Sequence, residues 1–241
     1  MAYEVWPHNG LLISGTAQAT SLMDWDLITD SAGNAVLCFT DIRAGGDYDI
    51  YAYRISPAGA FLWGTNGVAL SNDGNFEANS VVAEMTDGTF AFAWMRSVTG
   101  AAGRLVVQKL DTLGTPLWGT SALAVYDAAS LPIAHKAQLL ADGAGGAFNA
   151  WHVSVGSFFQ GRVQHVNSAG VEVLAHGGIE VSLEANRSDL DPCMVSLAGS
   201  AVVATDGTAI LAWNDARTDI NDVYTQNVEP DGSMGVPRAP A

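Results

Sequence analysis

The chain repeats one line of sequence, and that repetition limits what it can fold into more than any single residue does. The stretch DIYAYRISPAGAFLWGTNGVALS at 49–71 returns in weaker form as GRLVVQKLDTLGTPLWGTSALAV at 103–125. Aligning its turn glycine gives Gly59, Gly114, Gly170 and Gly232, which by subtraction are 55, 56 and 62 residues apart. Four residues after the first three come Trp63, Trp118 and Leu174. A second series, in NAVLCFTD, FAFAWMRS, AFNAWHVS and AILAWNDA, places Phe39, Trp94, Trp151 and Trp213 at steps of 55, 57 and 62. Two ladders with matching steps define a repeat whose units stack to bury what one unit alone leaves open.

Within a unit the short runs are rich in β-branched and aromatic residues and are divided by Gly, Asp and Asn turns, the pattern of strands. SVVAEM, FAFAWM, RLVVQKL and ALAVY give four strands to a unit, and only LPIAHKAQLL carries a weak helical pattern. Strands in fours, at a period somewhat above the roughly 40–50 residues of common blade repeats, predict an all-β, four-bladed β-propeller in one domain over 1–241. A β-solenoid is the competing architecture, with shorter coils. Trp94, Trp151 and Trp213 are then expected between blades.

VWPHNGLLIS near the N-terminus matches LWGTNGVALS, the last strand of a unit, and the C-terminal unit fades at that point. Residues 5–14 are therefore expected to complete the last blade as its outer strand, closing the ring and removing a sheet edge. A segment cut from a larger propeller is the other reading of the same ends.

Ten basic against 25 acidic residues leave a net charge of −15, which disfavours nucleic acid and anionic lipid as partners. No apolar run approaches the roughly 18 residues of a membrane span, and MAYEVWPHNG lacks the basic and apolar stretches of an export signal. Cys38 and Cys193 allow at most one internal disulfide.

DGAGGAFNAW, DARTDINDVYTQNV and the 49–71 line together resemble repeats of large bacterial secreted or surface proteins, with units like DGxGGxxxAWxDxRxxxxDIYxQxxxxxGxxxWxxNGVxL. The resemblance covers nearly the whole chain. It implies a propeller-like fold and an extracellular or cell-surface location, and carries no established catalytic residue. Arg96 and Val153 depart from it, standing where the first and last units have Asp41 and Asp215.

DIRAGGDYD supplies Asp41, Arg43, Asp47 and Asp49, and DARTDIND supplies Asp215, Arg217, Asp219 and Asp222. Oxygen-rich loops of this kind suit Ca²⁺, so Asp41, Asp47, Asp49, Asp215, Asp219 and Asp222 are the candidate cation ligands, with no other cofactor expected. The Arg two residues after each leading Asp favours an ion pair instead. SNDGNFEAN adds Asn72, Asp73, Asn75 and Glu77, a partial echo of a calcium loop or a polar turn, and NRSDLDPC places Asp189 and Asp191 in an extended loop. His8, His135, His152, His165 and His176 lack any short zinc spacing, and no GxSxG elbow, phosphate loop or dinucleotide fingerprint occurs.

For a sugar, the candidates are Trp25 with Asp24 and Asp26, and Trp6 with His8 and Asn9, since rings stack on sugar faces while carboxylates and amides bond the hydroxyls. Burial of both rings is the competing reading. The chain is expected to be a non-catalytic extracellular module recognising glycan or protein through its loops. A self-associating building block of a surface layer or filament is the alternative. A glycan-active enzyme stands third, its paired acids drawn from different blades.

Overall fold

The computed structural model of the chain describes residues 6–16, 24–45, 47–98, 103–129, 131, 136–156, 158–181, 193–196, 207–215 and 222–235. They form four antiparallel sheets, each a simple meander in chain order. Sheet 1 holds β1 (Trp25–Thr29), β2 (Ala35–Asp41), β3 (Asp49–Ile55) and β4 (Val68–Ala69). Sheet 2 holds β5 (Phe76–Glu84), β6 (Phe90–Ser97), β7 (Arg104–Leu110) and β8 (Leu123–Tyr126). Sheet 3 holds β9 (Gln138–Ala141), β10 (Ala147–Val155), β11 (Phe158–Val166) and β12 (Ile179–Glu180). Sheet 4 comprises β13 (Cys193–Ser196), β14 (Ala209–Asp215) and β15 (Asp222–Val228). The first strands neighbour one another in series, β1 beside β5, β5 beside β9 and β9 beside β13, so the sheets follow each other in a propeller-like succession. No helix occurs among the described residues, hence none long and apolar enough to cross a membrane.

Alternation in β6 shows why its run reads as almost wholly apolar. Phe90, Phe92 and Trp94 point into the core shared with sheet 1, beside Val36, Cys38, Ile50, Ala52 and Trp63. Ala91 and Ala93 point the other way, where Trp151 of sheet 3 fills the space they leave. A strand covered on both faces loses the polar half of its pattern, and large-against-small pairing lets the sheets interdigitate. Trp213 repeats the arrangement one sheet on, against Phe148, Ala150 and Val163. Trp94, Trp151 and Trp213 thus lie between sheets, as expected from sequence.

The glycine ladder is also explained. Gly59, Gly114, Gly170 and Gly232 have φ of 79°, 86°, 79° and 84°. Each donates its N–H three residues back, to Ser56, Asp111, Asn167 and Glu229, in one repeated turn after the third strand. This left-handed backbone is open to glycine at little steric cost. A Cβ on Gly114, Gly170 or Gly232 would also meet Trp63, Trp118 or Leu174 of the preceding sheet at 3.1, 2.6 and 2.5 Å. The two ladder positions are therefore contact partners across each seam.

A third ladder escaped the sequence reading. Arg54, Lys109 and His165, at steps of 55 and 56, each bond an acid from the turn between the first two strands of their own sheet: Asp30 at 2.8 Å, Asp87 at 2.7 Å and Asp142 at 2.8 Å. Each also reaches a backbone carbonyl of the next sheet: Thr112 at 3.1 Å, Gly145 at 2.6 Å and Pro230 at 2.7 Å. One basic residue per seam ties two sheets together at their turn end.

The N-terminal segment takes the same seat against sheet 1 that each sheet takes against its successor. Leu11 and Ile13 pack on Phe39, Tyr51 and Tyr53, and Trp6 Nε1 donates to Pro57 O at 2.9 Å. Trp63 does so to Thr112 at 3.1 Å and Trp118 to Ser168 at 3.2 Å. Residues 6–16 carry no strand, and sheet 4 has three strands among the described residues. Its expected fourth strand, 5–14, shows no strand pairing among the described residues; Val5 lies outside them.

Candidate functional site

In each meander the turns joining first to second and third to fourth strands share one end of the sheet. The connection between the second and third strands, and the crossing to the next sheet, share the other. Among the described residues, Asp24, Asp26, Asp41, Asp47, Asp49, Asp73 and Glu77 fall at this connection end.

Asp41 closes β2 opposite Asp49, which opens β3. Asp41 accepts from Arg43 Nε at 2.8 Å and Ser14 Oγ at 2.6 Å, and Arg43 continues to Tyr53 Oη at 2.7 Å. Its carboxyl lies below the usual range, burial being outweighed by the bonds from Arg43 and Ser14. Asp41 is thus spent on the ion pair that the intervening Arg implied. Asp49 is different. It accepts one bond, from Asp73 N at 3.1 Å, while its Oδ2 is buried with no partner. Burial, together with the charges of Asp47, Asp73 and Asp41, pushes it up to about 6.

The connection 70–75 carries Asp73 across to sheet 2, where Glu77 stands near the start of β5 opposite Arg96 of β6. A bulge places it there. Between the pairs Ala78–Met95 and Val81–Ala93, two residues, Asn79 and Ser80, stand opposite one, Trp94, with Asn79 at φ 60°. Without the extra residue Glu77 would share a face with Val81, which packs toward sheet 3; the bulge turns it toward sheet 1 and Asp49. The Glu77 side chain is 0% exposed, Arg96 Nε lies 3.5 Å from Oε1, and Ser71 stands beside its carboxyl. Burial drives its pKa up to about 8. Asp73 is 42% exposed and is also paired to Arg96. Bonds from Asn75 and the charge of Arg96 overcome its burial and hold it below the usual carboxylate range. One guanidinium therefore joins a carboxyl that is protonated at neutral pH to one that is ionised.

Asp24 and Trp25 begin β1 at the same end of sheet 1. Asp24 N donates to Thr40 Oγ1 at 3.2 Å, one residue from Asp41, and Asp24 pairs with Lys136. Lys136 lies just before β9 and also donates to Trp25 O at 2.7 Å. Trp25 is 64% exposed, while Asp26 points inward and accepts from Val82 N at 2.9 Å. Trp6, 37% exposed, sits at the opposite, turn end of sheet 1 through its bond to Pro57, with His8 and Asn9 exposed beside it. The structure does not bring the two aromatic sets together.

Among the described residues no three His, Cys, Asp or Glu side chains converge in a metal-holding group. Asp219, Asp189, Asp191 and His135 lie outside the described residues, as do the side chains of Asp215, Asp222 and Cys193. Cys38 is a buried free thiol. Sequence reasoning missed Lys136 and Arg96 as organisers of the site. Arg96 was visible as the departure from Asp at its repeat position; Lys136 gave no periodic signal.

No family model matches the chain, and no curated protein matches it. Solved structures do. A polysaccharide lyase, an ulvan lyase bound to -[GlcA(1-4)Rha3S]-, is similar at a TM-score of 0.52 and 10% identity, over 89% of this chain and 53% of that one. The chain thus spans about half the length of the lyase. A protein of unknown function from Dyadobacter fermentans DSM 18053 is similar at a TM-score of 0.51 and 9% identity, over 88% and 68%. An endo-arabinase from Bacteroides thetaiotaomicron VPI-5482 matches at 0.47 and 12% identity, over 83% and 72%. The likeness to the lyase corrects the expectation of a non-catalytic recognition module. The loops and aromatics that prompted it sit on a fold that carries glycan cleavage in the lyase, so neither they nor missing hydrolase motifs mark the chain as inert.

Proposed function

We propose that the chain is a glycan-active domain that cleaves polysaccharide outside the cell, at the connection end of sheets 1 and 2. Its repeats are arranged as a four-bladed propeller, with 5–14 as the outer segment of the last blade. The observation that carries the reading is the pair Glu77 and Asp73 on one Arg96, which environment drives to opposite protonation states. Hydrolysis of a glycosidic bond needs such a pair, one carboxyl to protonate the leaving oxygen and one carboxylate to activate water or attack. Trp25, exposed at the connection end of sheet 1, is the stacking surface for a sugar ring, and Asp24 bonds its hydroxyls. Because Glu77 is covered, the reading requires the chain around Ser71 to part from it when glycan binds while Asp73 keeps its hold on Arg96, as local opening does in many enzymes.

The test is incubation with soluble neutral and acidic polysaccharides, xylan and ulvan among them, reading new reducing ends and the ultraviolet absorbance of unsaturated ends. Hydrolysis gives the first without the second; elimination gives both. Glu77→Gln and Asp73→Asn should each lower the rate by about 10²–10⁴-fold with folding intact. Cleavage that survives both changes, or no cleavage of any polymer, refutes the proposal.

A further inference from the structure

Lys136 links sheets that are not consecutive. It belongs to the segment entering sheet 3, yet its Nζ bonds Trp25 O at 2.7 Å and pairs with Asp24, both at the start of sheet 1. Trp25 lies at the first position of β1, where one strand neighbour, Phe39 of β2, flanks it. A terminal strand residue with an exposed ring has few contacts to fix its backbone, and strand ends fray readily. Asp24 N to Thr40 Oγ1 and Thr40 N to Asp24 O hold the preceding residue, and Lys136 supplies the bond at Trp25 itself.

We propose that Lys136 is a positioning residue that fixes the Trp25 indole as a sugar-stacking platform, an inference that rests on the glycan-cleaving reading above. The ammonium holds the carbonyl from which the ring is hung, and its pairing with Asp24 sets the spacing between ring and carboxylate. Its charge is committed to Asp24, so it acts through Trp25 and Asp24 and not as a cation for an acidic sugar. Stacking on a ring held in place loses little freedom on binding, which appears in KM and leaves the chemical step alone.

The experiment uses the whole chain labelled with 5-fluorotryptophan, with the Trp25 fluorine resonance identified by its loss in Trp25→Phe. In Lys136→Ala the Trp25 resonance should shift and broaden while the other tryptophan signals and the melting temperature hold. Lys136→Arg, which keeps a donor and a charge, should restore it. With soluble xylan and ulvan as probes, Lys136→Ala should raise KM about tenfold with kcat within about twofold. An unchanged Trp25 resonance, or an unchanged KM, overturns the inference. If the wild-type chain cleaves neither probe the glycan-cleaving reading loses its support, and the fluorine spectrum still decides whether Lys136 positions Trp25.

Discussion

Trp6 donates its indole N–H to the carbonyl of Pro57 at 2.9 Å, the bond by which Trp63 grips Thr112 and Trp118 grips Ser168 in the sheets that follow. The segment before sheet 1 thus behaves, at its contact, as the outer strand of a sheet preceding it. Trp6→Phe keeps most of the ring and removes the bond. It should cost about 0.5–1.5 kcal/mol in urea unfolding, and the same change at Trp63 a similar amount. A loss at Trp63 alone would show that the N-terminal seam does not hold.

Gly170 and Gly88 both have positive φ, 79° and 76°, but they differ in what a side chain would meet. A methyl group on Gly170 would stand 2.6 Å from Trp118, whereas the space beside Gly88 is open. Gly88→Ala should therefore cost about 1–2 kcal/mol, the backbone penalty alone. Gly170→Ala should cost a further 1–3 kcal/mol, roughly, from overpacking at the seam. Equal losses in denaturant titrations would mean the glycine ladder serves turn geometry only.

Glu77 titrates higher in the fold than in the unfolded chain, so the folded state holds the proton more tightly. Its contribution is whole below the ordinary glutamate value of 4.5 and is lost as pH rises toward about 8. Asp49, raised to about 6, works in the same direction over a lower window. Glu77→Gln should flatten the fall in stability between these limits and make the protein more stable than wild type at pH 8–9, roughly where the wild-type carboxylate is ionised and buried. Urea midpoints across pH check this; parallel curves for the two proteins would refute it.

His165 faces two acceptors, Asp142 Oδ2 at 2.8 Å and Pro230 O at 2.7 Å, at the position where Arg54 and Lys109 donate to their own acid and carbonyl. Asp142 lies below the ordinary carboxylate range because bonds from His165, Ala144 and Gly146 outweigh its burial. Its contribution is present above that ordinary value and lost as acid carries the pH down through its folded value. His165→Gln should cost about 1–3 kcal/mol at neutral pH by disrupting the bond to the buried Asp142 Oδ2, and His165→Lys much less. A glutamine variant as stable as wild type would sink the ladder's role.

The repeat was legible because inter-sheet contact is written at fixed spacing: Gly114 on Trp63 and Gly170 on Trp118 are the same contact one unit apart. The Asp41–Arg43 pair was legible because two residues suffice to state it. The site was not. Glu77 meets Arg96 across a strand pair and Asp49 across a seam, and its face is set by a bulge at Asn79 that no composition rule announces. Lys136 lies 111 residues from Trp25, in the stretch whose weak helical pattern concealed a connection. Function was misread because a fold's chemistry is grafted onto positions such as these and not onto the repeat.

The most direct measurement is the rate at which the purified chain releases reducing ends from a polysaccharide panel, taken side by side with Glu77→Gln and Asp73→Asn. The account predicts release by the wild type without unsaturated ends and a fall of about 10²–10⁴-fold in each variant, with unfolding curves showing both still folded. Equal rates in all three proteins, or no release by the wild type, would contradict it.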